Sequence, residues 1–309
     1  MNKHYFPYAF FNNNVVKTED AQVSIMTNAL QYGTAVFGGI RGYYNKEKKF
    51  VSVFRLADHY KRLLSSLNIL GVNLMYTRDQ LIDITIKLVK KNQPQVDIYL
   101  RPFAYAGSTM LSPNLNREKN FFFALYTIPL GDYLPTNKGL SVGVSSFWRI
   151  SDNAIPSRGK ISGGYINSAL ARKEAEDRGF EEAIFLTQEG HVSEGSAENI
   201  FLVRDEVLIT PAKSDEVLEG ITRRTVMTIA KDLGILTEER SIDRSELYVA
   251  DEAFFSGTGV QIAWIGKIDG RVVGQGKRGP ITQKITTEYF DAVRGNNLKY
   301  DSWCTKIKT

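Results

Sequence analysis

The chain has 309 residues, 39 Lys plus Arg against 34 Asp plus Glu, and a formal net charge of +5. With 43% hydrophobic and 24% charged residues it matches a globular protein with a large core and excludes a disordered or collagen-like chain. One cysteine, Cys304, rules out an intrachain disulfide or a Cys-rich zinc site, so a reducing, cytoplasmic setting is expected. No export signal stands in MNKHYFPYAFFNNNVV, and no apolar run is long enough to span a membrane. The basic residues are interleaved with acids, which argues against a nucleic-acid-binding module.

In chain order, FFNNNVVKTED offers a hairpin through its Asn cluster, and KKFVSVFRL a strand running into a turn. Leu63, Leu64, Leu67 and Leu70 recur at helical spacing until Gly71, and Thr77 caps a second helix that ends at KKNQP. DIYLRPFAYAG and NFFFALYTI read as strands, the second apolar enough for burial on both faces. PLGDYLPTNKG is rich in Pro, Gly, Asp and Asn, which places a small domain at 1–130, a connecting loop at 131–137 and a larger domain at 138–309. The second domain offers a strand GLSVGVSSFWRI, a helix INSALARKEAEDRG, strands EEAIFLTQ and ENIFLVRD, a helix ITRRTVMTIAKDLG, a strand at DEAFFSG, a turn-rich IDGRVVGQGKRGP and a helix ITQKITTEYFDAVRG. KYDSWCTKIKT reads as a frayed tail. Clustered strands and helices without regular βαβ alternation predict an α+β fold.

No phosphate loop of the GxxxxGK[ST] form, no HExxH pair and no GxSxG elbow is present, and no metal site is expected. Lys160 precedes Gly163, Gly164 and Tyr165 at the mouth of a helix. A lone lysine is ordinarily solvated, so this position gains meaning only together with residues further along the chain. Downstream come SEGSAENIF with Glu194 and Asn199, then LIT at 208–210, then Leu218, Gly220, Ile221, Thr222 and Arg223. This gapped order resembles the signature of the class IV pyridoxal-phosphate aminotransferases. NALQYGTAVFGGIRGYY, HYKRL, RPFAYAG, LEGITR, LYVADEAFFSGTG and GKRGPIT extend the resemblance from about Ala21 to Phe290, toward branched-chain amino acid aminotransferases.

The resemblance implies a two-domain, fold type IV enzyme with its active site in the interdomain cleft, working as a homodimer or higher homo-oligomer. Pyridoxal 5′-phosphate is the implied cofactor, and small amino acids and 2-oxo acids the partners. Lys160 is then the catalytic residue, forming a Schiff base with the cofactor aldehyde and shuttling the substrate's Cα proton. Glu194 would face the pyridine nitrogen and Tyr165 the ring's phenolic oxygen. Arg62, Gly220, Ile221, Thr222 and Thr258 would hold the phosphate, the glycine turn leading into a helix N-terminus suited to an anion. Periodicity alone makes Arg62 equally a surface residue of an amphipathic helix, with Arg55 a lesser candidate. Tyr32, Phe37, Gly39, Arg41, Tyr99, Arg101, Tyr133, Thr258 and Gly259 would shape the substrate pocket, Arg101 taking a second carboxylate.

Two departures from that pattern concern specificity. Gly38 stands where VFEGIR would carry an acid, an exchange expected to enlarge the local space, and Leu130 stands for a tryptophan. The expected reaction is amino exchange between Leu, Ile or Val and 2-oxoglutarate. The alternative is a transaminase acting on D-amino acids or (R)-primary amines.

Overall fold

The computed structural model describes residues 4–117, 120–131 and 138–309. Tyr133 and nearly all of the expected loop 131–137 lie outside the described residues. The chain forms two compact units: Met1–Gly131 with Gly159–Gly163 and Asp291–Thr309, and Asp132–Arg158 with Gly164–Phe290.

In the first unit the strands Cys304–Lys308, Phe50–Phe54, Ile40–Asn45, Ile98–Tyr105, Asn120–Pro129, Tyr8–Phe11 and Asn14–Lys17 lie side by side in that order. The expected hairpin turns through Asn12 and Asn13, both at positive φ (47° and 67°), the backbone that two-residue hairpin loops demand and Asn tolerates. Two helices follow, Leu56–Ile69 and Arg78–Asn92. The first buries Leu56, Tyr60, Leu63 and Leu67 on one stripe, and Gly71 at φ 68° supplies the left-handed stop. The second opens with Thr77 accepting from the Gln80 amide while the Gln80 side chain accepts from Thr77 N, a reciprocal cap. Phe122 in Asn120–Pro129 is exposed in the single chain, so that strand is not buried on both faces throughout.

The chain end departs from expectation. Cys304–Lys308 is a strand paired antiparallel with Phe50–Phe54, and Ile307 is buried, so the tail belongs to the first unit rather than to a domain running from 138 to 309. Its alternation of one buried position among polar ones is too short to register as a strand until the partner edge is present.

In the second unit the strand order is Val192–Gly195, Glu182–Leu186, Leu140–Trp148, Gln261–Ile268, Glu252–Gly257, Asn199–Arg204, Val207–Thr210 and Thr237–Glu239. Leu140–Trp148 runs parallel to both neighbours, and the other central pairs are antiparallel. Gln261–Ile268, hidden in the sequence behind Gly259 and Gly266, is a central strand. Leu140, Val142, Ile200, Leu202, Phe255 and Ile265 form the heart of this unit's core. The helix Tyr165–Asp177 seats Ala171 and Ala175 against Ala183 and Phe185. The helix Ile221–Asp232 buries Ile221, Thr225, Val226 and Ile229. The mixture of mostly antiparallel sheets with packed helices is the α+β class expected. No helix among the described residues is long and apolar enough to cross a membrane.

Candidate active site

Within the first unit, Lys160 is fixed through its backbone. Phe37 N donates to Lys160 O at 3.0 Å, Lys160 N donates to Ser66 Oγ at 3.1 Å, and Ile161 bridges Val36. Gly163 N donates to Gly33 O at 3.1 Å; a Cβ on Gly33, which lies at φ 67°, would meet Gly163 Cα at 2.6 Å. That approach requires glycine at 33. The lysine amine is thereby carried to 5.0 Å from the centroid of the Phe37 ring.

The Phe37 ring gathers the rest of the group. The Arg101 guanidinium lies 4.6 Å from its centroid and 5.2 Å from that of Tyr99, and Arg101 Nη2 donates to the Tyr99 hydroxyl at 3.1 Å. Arg101 Nε is buried with no hydrogen-bond partner among the described residues, a donor an incoming carboxylate would satisfy. Burial pushes the Tyr99 phenol above its ordinary range, against the nearby charge of Arg101 and, more weakly, Arg62. Lys160, Phe37, Tyr99, Arg101 and Arg62, all named from sequence, therefore converge. Gly39 joins them, because the Tyr99 hydroxyl occupies the space of a side chain at 39.

Other expected residues of this unit stand differently. Arg41 is 2% exposed and donates through Nη2 to Leu130 O at 3.2 Å and Gly131 O at 2.5 Å, so it clamps the chain at the end of Asn120–Pro129. Tyr32 ends the short helix Asn28–Tyr32 and is exposed. Arg55 pairs with Asp58 at 2.6 Å and lies 4.7 Å over the Trp303 ring, engagements that leave Arg62 the better phosphate candidate. Gly38 does not enlarge the pocket as expected: Gly38 N donates to Pro102 O at 2.7 Å, and a Cβ there would meet Pro102 Cγ at 2.9 Å. The proline ring fills the space.

In the second unit, Glu194 lies on the buried strand Val192–Gly195 and is 5% exposed. Arg149 Nη2 meets its Oε1 at 2.9 Å, while Asn199 Nδ2 and Leu218 N each donate to Oε2 at 3.0 Å. Gly220, in extended backbone, precedes the helix Ile221–Asp232 and has no side chain to cap it, so the first-turn N–H groups beside buried Thr222 gain no acceptor from the N-cap residue. An anion such as a phosphate fits that end. Thr258 and Gly259 form the turn after Glu252–Gly257, and Tyr165 is the first residue of its helix. The donor set thus fits a phosphorylated heterocycle: a carboxylate supplied with donors, a phenol, and an uncapped helix start.

Two residues of this cluster carried no assigned role in the sequence. Asn199 was visible only as a letter of the signature. Arg149 closes the strand GLSVGVSSFWRI and carries no local mark, because its partner is 45 positions away, a separation read directly from the chain.

The amino-transferase class IV family model matches residues 36–268. A probable branched-chain-amino-acid aminotransferase of Aquifex aeolicus is 44% identical over 301 residues, covering 97% of this chain and 96% of the relative. The crystal structure of a branched-chain aminotransferase from Thermoproteus uzoniensis with norvaline superposes with a TM-score of 0.93 at 44% identity, over 97% of this chain and 99% of that one. The T.th. branched-chain amino acid aminotransferase complexed with N-(5′-phosphopyridoxyl)-L-glutamate gives a TM-score of 0.93 at 36% identity, over 98% and 99%.

Proposed function

The chain belongs to the class IV aminotransferases, and from that premise we propose that it exchanges the amino group between leucine, isoleucine or valine and 2-oxoglutarate, with pyridoxal 5′-phosphate as cofactor. The carrying observation is that the Lys160 amine and the Arg101 guanidinium flank one ring, that of Phe37, at 5.0 and 4.6 Å from its centroid. A nucleophilic amine beside a carboxylate-binding fork is what transfer between an amino acid and a dicarboxylic oxo acid requires. Relatives crystallised with norvaline and with a phosphopyridoxyl-glutamate conjugate support both substrate and cofactor.

When bound, the cofactor supplies an electron sink for the pair left on the substrate's Cα. Lys160 Nζ would hold the aldehyde and, as the free amine, would carry the Cα proton. Glu194 would keep a proton on the ring nitrogen and Tyr165 would hydrogen-bond the phenolic oxygen; Arg62, and separately the Gly220–Ile221–Thr222 turn and Thr258, would serve as phosphate ligands. Phe37 and Tyr99 would exclude water from the substrate's side chain and Arg101 would receive the distal carboxylate of glutamate; Thr258 with Gly259 would serve as α-carboxylate ligands. The protein acts as a cytoplasmic homodimer. Exposed Ile25, Met26, Leu30, Met110 and Leu111 lie on two segments joined by Asn28 N donating to Ser108 O at 2.8 Å, and this apolar surface suits a second copy.

The test is to add pyridoxal phosphate to the purified protein, reduce with borohydride and locate the cofactor by peptide mass. Attachment at Lys160, with amino transfer from L-leucine to 2-oxoglutarate, is expected. Attachment elsewhere overturns the assignment of the lysine, and transfer from (R)-1-phenylethylamine but not from L-leucine overturns that of the substrate.

A further inference from the structure

We propose that Arg149 and Asn199 are positioning residues that hold Glu194 as an ionised acceptor, so that the proton it shares with the cofactor's ring nitrogen stays on the nitrogen. The inference rests on the reading above of Glu194 as the ring partner of pyridoxal phosphate.

Arg149 Nη2, Asn199 Nδ2 and Leu218 N present three donors to the carboxylate, one on Oε1 and two on Oε2. An ionised carboxylate has about four acceptor sites, so it can take all three and one more. A proton moved from the ring nitrogen to the carboxyl would remove the charge that these three donors bind, and an O–H turned inward would meet donors alone. A guanidinium and a backbone N–H have no lone pair to receive it. The Asn199 amide cannot turn over to offer its oxygen, because Nδ2 also donates to Leu218 O at 2.9 Å. A turned amide would set oxygen against oxygen at both partners.

Both clamps are themselves anchored. Arg149 N donates to Leu186 O at 2.8 Å, Arg149 Nε donates to Glu216 O at 3.4 Å, and the guanidinium lies 5.6 Å from the Phe185 ring centroid. Asn199 Oδ1 occupies the space a side chain at Gly220 would need. Glycine at 220 therefore seats Asn199 as well as opening the helix. Among the described residues, Glu198 interacts by charge with Glu194, and Glu182 and Arg172 act in turn on Glu198. Burial and the charge of Glu182 push the Glu198 carboxyl up to about 8, so at neutral pH it adds little negative charge beside Glu194.

The experiment loads the full-length protein with pyridoxal phosphate labelled with ¹⁵N in its ring and follows the ring-nitrogen shift by NMR across neutral pH. The wild-type protein is expected to show a protonated pyridine. Arg149→Gln should move the shift toward the neutral ring, Asn199→Ala should move it less in the same direction, and Arg149→Lys should return most of the wild-type value. For Asn199→Ala a fall in kcat of about tenfold, with KM nearly unchanged, is expected to accompany the shift. Should Arg149→Gln fail to fold, Asn199→Ala and Arg149→Lys carry the test. A cofactor attached to Lys160 with the same ring-nitrogen shift in every folded variant overturns the clamp while leaving the enzymatic reading intact. Failure of the wild-type chain to attach the cofactor overturns both.

Discussion

Gly39 leaves the space of its missing side chain to the hydroxyl of Tyr99, which in turn accepts from Arg101 at 3.1 Å. Adding one methyl group at 39 must push the phenol away, and the Arg101 fork loses the partner that orients it. Gly39→Ala is expected to cost about 1–3 kcal/mol of stability from overpacking and to raise KM for 2-oxoglutarate more than for leucine. Combining it with Tyr99→Phe removes the colliding oxygen and should restore part of the stability without restoring the KM. Thermal unfolding and steady-state kinetics of the single and double variants check this; equal KM changes for both substrates would remove Arg101 from carboxylate binding.

The strand Cys304–Lys308 closes an edge of the first unit's sheet against Phe50–Phe54 and buries Ile307 to 2% exposure. That edge lies beside the turn whose Arg55 N donates to Trp303 O at 2.6 Å, just before the helix that carries Arg62. Ile307→Ala is expected to lower unfolding free energy by about 2–5 kcal/mol. The urea midpoint measures it, and a midpoint equal to the wild type would return the segment to the status of a loose tail.

Glu246 sits among Arg240 and Arg204, accepting from Arg240 Nη2 at 2.7 Å and Arg204 Nη1 at 2.9 Å. The hydrogen bond from Arg240 leads in holding its carboxyl down at about 2, against an ordinary value of 4.5. A depressed carboxylate contributes stability that is fully present above the unfolded value and is lost as pH falls toward the folded one. Glu246→Gln should therefore be less stable than the wild type at neutral pH, with the gap narrowing from about pH 4.5 to about pH 2. Urea denaturation at several pH values reads the gap directly; a constant difference would assign the loss to packing.

Local signals in the sequence, namely Asn12 with Asn13, Gly71, the Thr77 cap, and the apolar periodicity of the helices, foretold elements that form as written, because turn and cap chemistry acts over a few residues. The convergence of Lys160, Phe37, Tyr99 and Arg101 could be named only through the family pattern, since no periodicity brings residues 37 and 160 together. Gly38 shows the opposite limit. Its loss of a carboxylate suggested open space, and only the packed structure reveals that Pro102 fills it. Arg149 and the terminal strand were invisible for the same reason: each gains its meaning from a partner far along the chain.

Glu198 is buried and its Oε2 accepts from Ala197 N at 2.9 Å, while Oε1 is buried without a hydrogen-bond partner among the described residues. Desolvation, then the charge of Glu182, raises its carboxyl to about 8. Below the ordinary value of 4.5 both folded and unfolded chains carry the proton; above it the unfolded chain releases the proton and the folded chain keeps it. Stability from this group therefore declines as pH rises through the interval up to about 8 and levels beyond it. Glu198→Gln keeps the shape and an acceptor for Ala197 N but has no proton to lose. Its stability relative to the wild type should rise with pH between those limits, at up to about 1.4 kcal/mol per pH unit if a single proton is linked. Parallel stability curves for the two proteins would show that Glu198 enters the folded state already ionised, and its charge would then have to be counted against Arg149 in the environment of Glu194.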